Sequence, residues 1–338
     1  MCRSLDPASN IGLAEIDLTL SLSRKFLNGL KWLVNADLNI YRVLPYLARY
    51  FIYTDLPREA PDVIADSRPP PNWPAAGTIE FRDYGMRYRD DTNLVLQGLA
   101  LRVHPQEKIG IVGRTGAGKS SLTHALLRLV EPAQGSIYID GINISKIGLK
   151  DLRSAISIIP QDPSLFVGTI RENLDPMNEF TDDEVWSAIR KGQIEEMIST
   201  PTSSYDEEKD EDSGPWVAGV GLDKWVESGG KNFSVGQRQL ISLCRALLWQ
   251  RKILILDEAT ANVDLATDRA VQRIIRQEFA ECTILTIAHR LNTVMDSDRI
   301  LVMDQGKVAE FDSPANLLAQ DSLFKSLVES MELNESWT

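Results

Sequence analysis

The residues of this chain best suited to chemistry form one glycine-rich run, Gly113-Arg114-Thr115-Gly116-Ala117-Gly118-Lys119-Ser120. It follows the apolar Lys108-Ile109-Gly110-Ile111-Val112 and precedes Ser121-Leu122-Thr123-His124-Ala125-Leu126-Leu127. Glycines at this spacing let backbone N–H groups turn inward around an anion, and a helix beginning at Lys119 adds the partly positive end of its dipole. The pattern G-x-x-x-x-G-K-[ST] between a strand and a helix reads as a phosphate-binding loop. In that reading Lys119 reaches the outer phosphates and Ser120 holds Mg²⁺.

Polar residues placed just after apolar strands extend the reading, because ligands of parallel α/β sheets bind beyond the carboxyl ends of the strands. Gln161 follows Ile158-Ile159-Pro160, Asp257-Glu258 follows Ile253-Leu254-Ile255-Leu256, and His289 follows Thr286-Ile287-Ala288. Each has a plain structural alternative: an acid pair that caps the next helix, a glutamine that finishes a turn, a histidine that only packs. Beside a full phosphate loop they read together as phosphoryl-transfer machinery, which needs charge neutralisation and a positioned water. Asp257 then shares Mg²⁺ with Ser120, and Glu258 polarises the attacking water. His289 contacts the γ-phosphate or aligns Glu258, and Gln161 completes the metal and water shell. His104 and His124 have no such setting and read as structural. A further stretch, Asn232-Phe233-Ser234-Val235-Gly236-Gln237-Arg238-Gln239, opens a helical run. Ser234 with Gln237 makes a capping box there, and the same geometry presents a hydroxyl and glycine amides to a phosphate.

These residues need a scaffold of alternating strands and helices, and the chain has room for one. Its 338 residues carry average apolar and charged fractions and a formal charge of -12, which argues against a nucleic-acid partner. The cysteines, Cys2, Cys244 and Cys282, make no CxxC pair, so neither a disulfide framework nor a zinc site is expected. No secretory signal is visible, and the apolar stretch from Ile11 to Tyr53 carries too many charges to span a membrane. Residues 11–56 have the apolar spacing of one or two amphipathic helices, with Pro45 as the internal breaker. Six prolines between residues 57 and 76 read as a stiff linker and a domain boundary. Beyond it, short β-like runs (Thr78–Phe81, Leu94–Leu96, Ser136–Ile139) precede and flank near-continuous apolar strands at Ala155–Ile159, Lys252–Leu256, Cys282–Ile287 and Arg299–Met303. The region from Thr181 to Gln250 reads as helical, opening on the capping box Thr181-Asp182-Asp183-Glu184. Within it, residues 202–213 are polar and acidic, a solvated loop. The expected organisation is a helical segment (1–56), a proline-rich linker (57–76) and a nucleotide-binding domain (77–332).

The set as a whole resembles an ATP-binding cassette. Gly113–Ser120, Gln161, Phe233-Ser234-Val235-Gly236-Gln237, Ile253–Glu258, Ala261-Asn262-Val263-Asp264 and His289 are similar to its Walker A, Q-loop, signature, Walker B, D-loop and H-loop. The wording is that of the second nucleotide-binding domain of the multidrug-resistance-associated, or C, subfamily of exporters. Phe233 and Val235 replace the commonest signature's leucine and glycine, and Lys231 stands where the subfamily usually has glutamate. The resemblance implies an α/β fold: a P-loop NTPase core with a mainly parallel sheet, a small antiparallel β subdomain and a helical signature subdomain. It implies ATP and Mg²⁺ as ligands, held by Gly113, Thr115, Gly116, Ala117, Gly118, Lys119, Ser120 and Ser121. In the family an aromatic stacks on adenine, and Tyr88 matches it; on the sequence alone Tyr84, or a plain strand tyrosine with no such role, is the alternative. Ser234, Gly236 and Gln237 would serve the nucleotide of a second cassette, and Asp264 would communicate across that dimer. The expected setting is the cytosolic side of a membrane, paired with transporter membrane domains that this chain lacks. The rival readings are a soluble regulatory or decoy cassette and a soluble cassette ATPase acting on DNA or ribosomes.

Overall fold

The computed structural model describes residues 13–56, 58–200, 219–257, 265–288 and 293–335. The chain divides into two units, Met1–Ala60 and Pro61–Thr338. The first contains one helix, α1 (Leu13–Thr54), which continues through Pro45. A proline removes one backbone donor from a helix, and the long apolar-rich run on either side sustains the remaining turns. Large apolar side chains are exposed all along α1, Leu18, Leu22, Phe26, Leu30 and Leu33 included, with Trp32 at 71% and Tyr53 at 69%. No described helix is long and apolar enough to cross a membrane.

In the second unit the described strands form three sheets. An antiparallel sheet has the order β2-β1-β4-β5, from β1 (Ile79–Met86), β2 (Leu96–Val103), β4 (Gln134–Ile139) and β5 (Ile142–Asn143). A larger sheet has the order β12-β11-β3-β10-β9-β6. Its strands are β3 (Lys108–Val112), β6 (Ile156–Ile159), β9 (Ile253–Asp257), β10 (Thr283–Ile287), β11 (Arg299–Asp304) and β12 (Lys307–Asp312). All are parallel except the edge strand β12. A short ribbon pairs β7 (Gly168–Thr169) with β8 (Trp225–Val226). The apolar runs of β3, β9 and β10 are buried because the strands sit inside the sheet, as their continuous hydrophobicity requires. The Leu94–Leu96 run is the lead-in to β2 rather than a strand of its own. β12 has no sequence counterpart above, because its half-exposed edge position leaves no apolar run to find.

Three apolar clusters hold the layers. One joins the antiparallel sheet to β3 and to α2 (Lys119–Leu126). A second packs α4 (Ile170–Leu174), α5 (Asp182–Lys191), α6 (Glu195–Ser199), α7 (Val235–Trp249) and α8 (Leu265–Glu278) with β6 and β9. A smaller one seats α9 (Pro314–Ala319) and α10 (Leu323–Glu335) near β11, while α3 (Leu149–Arg153) leads into β6. The helical part is pinned by Asp175, whose buried carboxylate accepts from Glu179 N, Phe180 N and Arg171 at 2.9–3.0 Å. Burial alone would raise its pKa, but these donors outweigh it and hold the group below the usual carboxylate range.

From Pro61 the proline-rich stretch is fastened to this second unit. Trp73 Nε1 donates to Ile139 O at 3.0 Å, and the Asp140 carboxylate accepts from the amides of Ala76, Gly77 and Thr78 at 2.7–3.1 Å.

Candidate functional site

The phosphate loop leaves β3 at Val112 and enters α2 at Lys119. Gly113 has φ +151°, and a Cβ there would lie 2.3 Å from Met303 O, so only glycine lets the loop turn against β11. Gly116 and Gly118 also have positive φ, at +82° and +103°. Arg114, Thr115 and Gly116 are exposed at the tip, while Ala117 is buried and accepts from Gly306 N at 3.0 Å. No side chain caps α2, because its N-cap is Gly118. The Lys119 ammonium is nearly buried and donates to Gly113 O at 2.7 Å and Arg114 O at 3.3 Å, which holds the cation over the loop. Ser120 beside it is exposed.

Sheet order brings the acidic end of β9 to the same edge. β10 lies between β3 and β9, and its Ile287 is the partner of both Ile111 and Asp257. The loop, beginning at Gly113, therefore starts two residues beyond the row that joins Ile111, Ile287 and Asp257. Next to β9, Ile159 pairs with Leu256, so Pro160 and Gln161 emerge at the adjacent strand end. Glu258, Asp264 and His289 lie outside the described residues, as does the acidic stretch 202–213. The Ser120 hydroxyl and Asp257 carboxylate are hard oxygen donors. They fit Mg²⁺, an ion that takes one or two carboxylates together with substrate phosphates. Among the described residues no group of three His, Cys, Asp or Glu offers an all-protein cage.

The two candidate aromatics separate cleanly. Tyr84 is 2% exposed inside the core, its hydroxyl has no hydrogen-bond partner among the described residues, and burial pushes its phenol pKa up. Tyr88 is 48% exposed in the loop after β1. Its hydroxyl lies 2.9 Å from Ser121 Oγ and 3.0 Å from His124 Nδ1. His124, read from sequence as structural, is thus tied to the exposed Tyr88. The i, i+3 spacing of Ser121 and His124 on one helix face was the available signal.

At the start of α7 the capping box is complete. Ser234 Oγ accepts from Gln237 N at 3.2 Å and Gln237 Oε1 accepts from Ser234 N at 2.8 Å. Phe233 is buried under the Lys224 ammonium, Gly236 is buried, and Ser234 is exposed. The signature residues thus stand at a separate helix end from the loop. One turn further, α7 grips the Q-loop. Gln239 is 2% exposed and its Nε2 donates to Pro160 O at 3.1 Å and Gln161 O at 2.9 Å, with Arg238 3.7 Å from Asp162. Gln239 had no assigned role in the sequence, since nothing in a helical pattern tells which residue a glutamine will reach. Burial raises the pKa of the Cys244 and Cys282 thiols, so neither is poised as a nucleophile.

Residues 96–261 match the family model described as ABC transporter. The chain is 48% identical over 95% of its length to metal resistance protein YCF1 of Saccharomyces cerevisiae. It is 46% identical over 96% of its length to ATP-binding cassette sub-family C member 3 of Homo sapiens. It is 54% identical over 85% of its length to ABC transporter C family MRP4 of Zea mays. It spans 18–20% of the length of these relatives. Among solved structures, a bacterial Atm1-family ABC exporter with ATP bound is similar over 86% of this chain and 48% of its own, with TM-score 0.73 and 31% identity.

Proposed function

Since this chain carries the ATP-binding cassette of the ABC transporter family, with C-subfamily transporters among its relatives, we propose that it hydrolyses Mg-ATP at a site completed by a second cassette and coupled to membrane domains. One observation carries the reading: the phosphate loop and Asp257 open at the same edge of the sheet, in strands separated only by β10. The loop amides and Lys119 bind the phosphates, and the loop's φ-positive glycines keep its backbone close to them. Ser120 and Asp257, with Gln161, hold the metal. Held there, Mg²⁺ would supply neutralisation of phosphate charge. Glu258 takes the proton of the attacking water, and His289 orients the γ-phosphate end. Ser234, Gly236 and Gln237 act on the nucleotide of the facing cassette, and Asp264 links the two sites. The working place of such a cassette is the cytosolic face of a membrane, beside the membrane domains of an exporter.

The test is ATP hydrolysis by the chain together with a second cassette. Glu258→Gln is expected to lower turnover by about 10²–10³-fold, the size of a lost general base, while ATP affinity is retained. An unchanged rate overturns the assignment.

A further inference from the structure

We propose that His124 is a positioning residue that sets affinity for the base half of the nucleotide, by holding Tyr88 at the mouth of the phosphate loop. The proposal rests on the reading that Tyr88 stacks on adenine. Tyr88 is half exposed in a loop, where a tyrosine ring loses conformational freedom only if something pins it. Here it is pinned at two points. Its hydroxyl bridges Ser121 Oγ at 2.9 Å and His124 Nδ1 at 3.0 Å, and its ring meets the imidazole edge-on, with centroids 6.1 Å apart and planes at 80°. Ser121 and His124 lie one turn apart on α2, the helix that begins at the phosphate loop, so the ring is referenced to the element that binds the phosphates. A hydroxyl has one proton, so one neighbour donates to Tyr88 while the other accepts from it, and the chain Ser121–Tyr88–His124 is satisfied in either direction. Ser121 is also a phosphate contact in the reading above. When a phosphate takes its hydroxyl, His124 remains as the anchor of Tyr88. Holding the ring in place before the base arrives removes an ordering cost from binding, and the benefit falls on the base alone.

The experiment measures binding of Mg-ATP and of Mg-tripolyphosphate, which lacks the base, by calorimetry on the full chain and its variants. His124→Ala and Tyr88→Phe are each expected to weaken ATP about three- to tenfold, as for one hydrogen bond, and to leave tripolyphosphate unchanged. The double variant is expected to lose no more than either single one. His124→Asn, whose amide stands where Nδ1 does, is expected to restore affinity, whereas His124→Gln is not. In paired cassettes His124→Ala raises KM with kcat unchanged. If His124→Ala leaves ATP affinity intact while Tyr88→Ala weakens it, the positioning role is overturned and base stacking stands. If Tyr88→Ala changes nothing, the stacking reading itself fails. Equal weakening of ATP and tripolyphosphate by His124→Ala would mean general damage to α2 and also overturns the proposal.

Discussion

Two helix beginnings in this chain carry glycine and serine next to an apolar helix, and they are built in opposite ways. At α2 the N-cap is Gly118 in the left-handed region, and no side chain of its own caps the helix. At α7 the N-cap is Ser234, and its reciprocal bonds with Gln237 close the first turn on itself. No side chain takes the first amides of α2, which follow a loop of φ-positive glycines, whereas an amide of α7 has its partner in Ser234 Oγ. The lesson is that equal helix dipoles do not make equal anion sites. In the proposed function α2 supplies a cradle, and α7 supplies an exposed hydroxyl on a self-capped end for a nucleotide bound elsewhere.

Three substitutions press on this contrast. The largest effect is expected at the cradle. Lys119→Ala removes the cation held over the loop, and turnover in paired cassettes is expected to fall about 10²–10³-fold, with ATP binding by calorimetry also lost. Retention of both would place the cradle's function elsewhere. Next comes the tie between the regions. Gln239→Leu frees the carbonyls of Pro160 and Gln161 from α7, and turnover is expected to fall about tenfold while ATP affinity stays within twofold, the loss of a buried hydrogen-bonded contact. A parallel loss of affinity would mean that Gln239 supports the cradle itself. The smallest effect belongs to the self-capped end. Ser234→Ala is expected to cost about 1 kcal/mol in denaturant unfolding, the usual value of an N-cap. It should not alter ATP affinity of the chain alone; a loss there would show that α7 serves the chain's own nucleotide.

How much of this was legible depended on the range of the signal. The phosphate loop, the capping boxes at Thr181 and Ser234 and the buried strand of Ile253–Leu256 are readable because each is encoded within a few residues. Tyr88 matched the family's aromatic, but periodicity alone did not separate it from Tyr84, four residues away near one strand. They are opposite in space, because β1 carries Tyr84 into the core and ends at Met86, before Tyr88. The edge strand β12 escaped for a related reason: an alternating, half-exposed segment looks like a turn until a neighbour pairs with it.

The sequence by itself determined the local chemistry: a glycine loop before a lysine, an acid after an apolar strand, a serine three residues before a glutamine. These follow from backbone geometry and periodicity, which neighbouring residues specify. Tertiary structure alone decided what stands beside what. It inserted β10 between β3 and β9, set His124 on Tyr88 across 36 residues, and laid Gln239 on Pro160 across 79. Strand order and such distant pairings come from the packing of whole layers, and no local pattern carries that information.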